Sequence, residues 1–300
     1  MTSNALLRMS EDPDHPGSLL EGKSRVVLYL DSPPGPDSAR RLYELYMGRY
    51  GGAITQFRST AFGDFPEEWT AQARNRFEHQ QLPGLRQRLD WGFMFGSERL
   101  VDAPVFMFHG SRPASEPGRA SIVRCDFAWN FDPDELRLFC GLVLQQVECV
   151  CGTAGYVVAQ GESDSAADES GLMFAAAMRY WGAEAQDMDV SLDCTLEGFP
   201  CVSWLTVVGP NLRAKNPDAL DRARAAAYSS FEVSGHVIIQ AEERPRLIDR
   251  NRREPLGNYP AVAKALLPLQ AKNHPSFNDE PWDEDLTRRY LHRFSDPQGL

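Results

Sequence analysis

Cysteine is scarce in this chain, with six thiols (Cys125, Cys140, Cys149, Cys151, Cys194 and Cys201) in 300 residues. Several lie inside apolar runs, where a free thiol behaves as a small hydrophobe, so no disulfide framework is expected. Cys149-x-Cys151 lacks the second pair or nearby histidines that a zinc site needs, and no metal is expected there. Histidine is equally thin: His15, His79, His109, His236, His274 and His292 stand singly. Basic charge is in deficit, with 31 Lys and Arg against 42 Asp and Glu, a formal net charge of −11 and a pI near 5.1. That is the reverse of a phosphate-binding footprint, and nucleic acid is not expected as a partner. No run reaches the length of a membrane span. The N-terminal MTSNALLRMSEDPDHPGS lacks the basic and apolar regions of an export signal, so a cytoplasmic location is expected. The phosphate loop G-x-x-x-x-G-K-[ST], G-x-G-x-x-G, G-x-S-x-G and H-E-x-x-H are all missing, and no cofactor is implied.

What is present is an ordinary globular composition, 42% hydrophobic and 24% charged, long enough to bury a real core. Residues 1–24 are polar and rich in Pro, Asp and Ser, and read as a loose arm. Strands are expected at RVVLYLD, AITQFRS, Leu100 to His109, ASIVRCDFAW, TAGYVVAQ, CVSWLTVVG and HVIIQA. Helices are expected at PDSARRLYELYMGRYGG, across Trp69, Ala73 and Phe77, and at AADESGLMFAAAMRYWG, NPDALDRARAAAYSS and YPAVAKALLPL. DPDELRLFCGLVLQQVECV also reads as a helix. Asp132 is its N-cap, Pro133 its first residue, and Leu136, Phe139, Cys140, Val143, Leu144 and Val147 form one buried face. Strands and helices alternate unevenly, which favours α+β: a mixed, largely antiparallel sheet with helices packed on it. One domain over 25–270 is expected. The element order of 25–118 recurs in 119–270, suggesting two similar halves, and 271–300 reads as a charged tail.

Two candidate sites stand out. From Glu162 to Glu197 there are nine acidic residues (Glu162, Asp164, Asp168, Glu169, Glu184, Asp187, Asp189, Asp193 and Glu197) against one base, Arg179, a net −8 in 36 residues. Such a segment is either a solvated face or a surface that steers toward a basic partner. Trp181 and Phe199, set among these acids, are candidate anchors for that contact. The second candidate is the polar stretch after HVIIQA, where His236, Glu242 and Asp249 could form an enzymatic pocket. Glu242-Glu243-Arg244 places Arg where a nuclease E-x-K motif has Lys, and Arg keeps its proton too firmly for that role.

The C-terminal third then shows a resemblance. Ser203-Trp204-Leu205-Thr206-Val207-Val208-Gly209, followed by His236-Val237-Ile238-Ile239-Gln240-Ala241, Pro245, Asp249, Asn251 and the Tyr259 helix, resembles the DUF3396 family. These are TsiV-like type VI secretion immunity proteins associated with VRR-Nuc effectors. Ile248 and Glu242 stand where the family pattern has glycine. The resemblance implies a protein that binds and neutralises a cognate antibacterial effector with a DNA-cleaving nuclease activity. The acidic segment would meet the toxin's basic surface. Trp204, Gly209, Gln240, Pro245, Asp249, Asn251 and Tyr259 would then be structural. An enzyme using the His236 site, or an adaptor of the secretion apparatus, are the alternatives.

Overall fold

A computed structural model describes residues 20–59, 65–85, 90–97, 104–111, 118–160, 166–185, 191–277 and 281–299. Its centre is one sheet in the order β10-β11-β9-β7-β1-β6-β5-β4-β2-β3, with β8 paired to β7 off this path. The strands are β1 (Leu20–Leu30), β2 (Gln56–Ser59), β3 (Glu67–Glu68), β4 (Asp90–Gly96), β5 (Val105–Ser111) and β6 (Ser121–Ala128). The rest are β7 (Cys151–Gln160), β8 (Ala183–Glu184), β9 (Leu205–Val208), β10 (Ser229–Val233) and β11 (His236–Gln240). Every pairing is antiparallel except β7 with β8. The helices are α1 (Pro36–Tyr50), α2 (Ala71–Arg76), α3 (Pro133–Leu144), α4 (Ala166–Arg179), α5 (Pro210–Lys215), α6 (Pro217–Ala226), α7 (Tyr259–Leu266) and α8 (Glu284–Leu291). The expected α+β class with a largely antiparallel sheet is what the chain forms.

The alternation of β1 explains how one strand serves two cores. Val26, Leu28 and Leu30 enter one cluster with α1, α3 and the rings of β4 and β5, while Val27 and Tyr29 enter the other with α6 and α7. Both faces of the central strands are covered, so their polar side chains must pair internally. Arg25 lies opposite Asp126 in the β1–β6 register. Its Nε and Nη2 reach the two carboxylate oxygens at 2.7 and 3.0 Å, and Arg124 binds the same carboxylate. The two guanidinium groups hold the Asp126 carboxyl well below the usual carboxylate range despite its burial.

The local signals that the sequence offers operate as expected at α3, where the Asp132 carboxylate accepts the N–H groups of Asp134 and Glu135 at 2.8 and 3.3 Å. Asn216 likewise caps α6 through the Ala219 N–H, at 3.0 Å. Elsewhere the structure differs from expectation. β1 begins at Leu20, inside the stretch 1–24 expected as a loose arm, and Lys23 and Ser24 are buried strand residues. β4 and β10 are strands that the sequence patterns do not announce. The helix read through Ser230 ends at Ala226, and the chain turns directly into β10. The stretches 25–118 and 119–270 share one continuous sheet, in which β1 bonds to both β6 and β7. The C-terminal segment is docked: Phe277, Tyr290, Leu291, Arg293 and Phe294 are buried, and Gln270 Nε2 donates to the carbonyls of Pro200 and Leu291.

Candidate functional site

The polar loop between β11 and α7 is anchored at every bend. Gln240, the last residue of β11, donates through Nε2 to the carbonyls of Glu242 and Glu243, each at 2.9 Å. Its Oε1 accepts the Ser229 hydroxyl at 2.9 Å. The Trp204 indole N–H reaches the Glu242 carbonyl at 2.8 Å from just before β9. The Glu242 carboxylate accepts the Asn258 N–H at 2.6 Å, closing the loop onto the start of α7. These bonds stand in for the ladder hydrogen bonds the chain gives up on leaving the sheet.

Further along, Asp249 is the organising residue. It is 4% exposed and accepts Arg179, from the end of α4, through Nε and Nη2 at 3.2 and 2.8 Å. It also accepts the Asn251 N–H at 3.0 Å, capping the short turn Arg250–Arg252. The Arg179 hydrogen bond and charge hold the Asp249 carboxyl below the ordinary value for aspartate. The Glu254 carboxylate returns to the Asp249 N–H at 3.0 Å. Trp181 N–H and Gly182 N–H donate to the carbonyls of Ile248 and Leu247, at 3.3 and 2.8 Å, fastening the loop to the chain after α4. A side chain at Gly182 would place its Cβ 1.9 Å from the Arg246 carbonyl oxygen, so only glycine admits this approach. Gly209 has the same role against the Cys149 carbonyl, also at 1.9 Å.

Ile248 has φ +57°, the left-handed region for which glycine is the natural residue and in which a β-branched residue is an outlier. The resemblance noted from the sequence leads to an expectation of glycine at this position. The isoleucine side chain is 0% exposed and packs with Trp181, Tyr259, Val262 and Phe294, which offsets the backbone strain. Glu242, the other departure from glycine, does not have positive φ. Here the substitution is used: its carboxylate ties the loop to α7.

His236, Glu242 and Asp249, the residues of the enzymatic reading, each have structural partners of their own. His236 opens β11 and Glu242 follows its end, about 20 Å apart at the rise of an extended strand. His236 Nε2 accepts the Cys149 N–H at 3.0 Å, and its Nδ1 faces the Val233 carbonyl at 3.2 Å. One tautomer, with the proton on Nδ1, satisfies both contacts. Burial lowers the imidazole's pKa from its ordinary value. His236 is thus a buried structural histidine. Among the described residues no group of three or more His, Cys, Asp or Glu could hold a metal ion.

The acidic segment divides. Glu162, Asp164, Asp187 and Asp189 lie outside the described residues, as do the side chains of Asp168 and Glu169 on α4. Asp193 and Glu197 are exposed, Asp193 beside Arg119 at 3.8 Å. Three of the expected contact residues are corrected. Glu184 is 3% exposed and accepts the Thr153 hydroxyl at 3.1 Å, because β8 turns it into the sheet next to β7. Trp181 is 3% exposed, its indole N–H on the Met178 carbonyl. Phe199 is 0% exposed, in a bridge with Gln270. None of the three offers a surface to a partner. Proximity to acids in sequence suggested exposure, whereas the apolar rings are drawn into the core beside them.

Trp204, Gly209, Gln240, Pro245, Asp249 and Tyr259 occupy buried positions, with Tyr259 stacked on Phe294 at 4.6 Å. Asn251 contributes its backbone N–H only; its side chain is exposed. A separate cleft of about 560 Å³ lies between Lys272–Pro275 and α8, with Glu284, Asp285, Arg288 and His292 on its wall. Asp285 there is already paired with Arg288 and Arg289 along the helix. Among the described residues no helix is long and apolar enough to cross a membrane.

Comparison with known proteins agrees with this picture. The model of the TsiV family, described as type VI immunity for VRR-NUC, matches residues 125–294, which contain the whole stapled loop and the docked C-terminal segment. Among solved structures, the Pseudomonas aeruginosa T6SS protein PA0821 has the same fold, with a TM-score of 0.74 over 92% of this chain and 84% of that one at 16% identity. No curated protein matches the sequence. With the match spanning more than half of its length, the chain belongs to the TsiV family of type VI immunity proteins for VRR-NUC.

Proposed function

We propose that this protein neutralises a DNA-cleaving VRR-NUC effector of a type VI secretion system by direct, non-catalytic binding in the cytoplasm of the cell that makes it. The observation that carries this reading is how the polar groups along β11 and the loop after it are used. Gln240, Glu242, Asp249 and His236 are each consumed in holding backbone to backbone. A protein that spends its polar motif on its own scaffold acts through its surface.

Charge supports the choice of partner. A nuclease presents cationic groups to phosphate, and a chain with net charge −11 is attracted to such a surface at long range. The acidic segment from Glu162 to Glu197 is the proposed steering surface, with Asp193 and Glu197 its exposed described members. Nucleic acid, a membrane and a cofactor have no part in this mechanism.

The test is co-expression with the VRR-NUC effector encoded in the same genome, in cells that the effector alone kills. Rescue accompanied by co-purification of a complex that weakens with salt is the expected result. Rescue without any complex would favour an enzymatic or adaptor role instead.

A further inference from the structure

From Glu242 to Glu254 the sequence carries four acids and five arginines, close to neutral. The fold sorts these charges. Glu242 turns onto the Asn258 N–H, Asp249 onto Arg179 and the Asn251 N–H, and Glu254 onto the Asp249 N–H. The arginines of the turn point the other way. The Arg252 side chain is 70% exposed, Arg253 is exposed, and the half-buried Arg250 lies over the Trp181 indole with its Cζ 4.2 Å from the ring centroid. Among the described residues no carboxylate pairs with Arg250 or Arg253. Arg252 approaches only Asp249, at 3.6 Å, whose charge Arg179 already answers.

The turn that displays these groups is fixed. Arg253 has φ +54° and donates its N–H to the Arg250 carbonyl at 3.0 Å, and the strained Ile248 anchors the other side in the core. Strained backbone persists where its surroundings over-determine it, and such sites concentrate at binding surfaces. A guanidinium held in place by stacking or backbone loses little freedom when it binds, and its planar fork matches carboxylate geometry.

We propose that the turn Asp249–Glu254 is a docking surface for a protein presenting clustered carboxylates, with Arg250, Arg252 and Arg253 as the contacting groups and Asp249 and Arg179 positioning them. The inference rests on the reading that this protein neutralises its effector by direct contact, and it assigns a second contact of opposite sign to the acidic segment. Charge complementarity selects the occupant. Three guanidinium groups on one tight turn fit a compact acidic cluster, such as the carboxylates with which a nuclease holds a divalent cation. A phosphate backbone would need a longer basic track than this acidic chain displays.

The test is calorimetric titration of the full-length protein with a VRR-NUC effector whose carboxylates are intact and which is kept inactive by a chelator, comparing wild type, R252E/R253E and R252K/R253K. Wild type should bind, R252E/R253E should bind at least about tenfold more weakly, and R252K/R253K should fall between them, since lysine keeps the charge and loses the planar fork. The thermal midpoint of R252E/R253E should stay within about 2 °C of wild type, since exposed substitutions change stability little. If R252E/R253E fails to fold, R252Q/R253Q carries the same comparison. Equal affinity of wild type and variant would overturn this surface while leaving direct binding intact. Absence of wild-type binding would remove the functional reading and this inference with it. Binding of a short DNA duplex that R252E/R253E loses would reassign the turn to nucleic acid.

Discussion

Around β2, β4 and β5 the sheet is covered by rings. Phe57, Phe77, Phe93 and Phe95 pack edge-to-face or tilted at centroid distances of 4.9–5.5 Å, with Tyr43 and Trp69 closing the cluster. Around β9 and β11 the covering is mainly aliphatic, and the connections are fixed by single polar side chains: Gln240, Glu242, Asp249, Gln270 and Arg293 each bind backbone groups. The difference bears on which part of the chain a family pattern can describe. Aromatic packing tolerates exchange among side chains of similar volume, whereas a side chain that satisfies two carbonyls or caps a turn has few substitutes. The family match at residues 125–294 covers the region held by such staples and leaves out most of the aromatic one.

The comparison can be broken most severely at the centre of the rings. Phe77→Ala should cost about 3–5 kcal/mol of unfolding free energy, while Phe77→Leu should cost under about 1.5 kcal/mol. Chemical denaturation measures both, and a Leu variant as damaged as the Ala variant would contradict the tolerance assigned to this half. In the stapled half a change of one atom should suffice. Asp249→Asn keeps the volume but loses the ionic partner of Arg179, and should cost about 1.5–3 kcal/mol.

Ile248 sharpens the contrast, because packing and backbone oppose each other there. Ile248→Ala loses the buried side chain and keeps the left-handed strain. Ile248→Gly loses the same contacts and relieves the strain, so it should be the more stable of the two by about 1 kcal/mol. That reverses the usual order of alanine and glycine, and a urea titration of the two variants decides it.

The smallest effect concerns pH. Burial places the folded-state pKa of His236 below the unfolded value near 6.5. Its contribution to stability is therefore complete above that value and is lost as pH falls from about 6.5 toward the folded pKa. His292 is shifted in the same direction by burial and by Arg288, so both contribute to the acid limb. His236→Gln should be less stable than wild type at pH 7.5 and should lose less on going to pH 5.5. Thermal melts across this range would show the shallower slope.

These results mark what the sequence could convey. Asp132 and Asn216 announce their helices because a cap is a local event, and the run ASIVRCDFAW announces β6 as a strand. β10 is hidden because AAAYSS continues the composition of α6, and only pairing with β11 makes it a strand. The staple at Gln240 and Asp249 could be suspected from residue type, and the glycine position at Ile248 from the family pattern. The outward face of the arginine turn could not be read, because a near-neutral run of charges says nothing of which ones turn inward. Trp181 misled for the same reason: it lies in an acidic segment of the sequence, yet its neighbours in space are Ile248, Phe294 and the guanidinium of Arg250.

The most direct test of the account is a titration of the effector's nuclease activity with this protein at effector concentrations well above the dissociation constant. Stoichiometric neutralisation predicts activity falling linearly to an end point at a fixed molar ratio, independent of incubation time. Inactivation that continues with time at substoichiometric amounts would mean that the protein turns over, and would contradict an inhibitor that acts by occupancy.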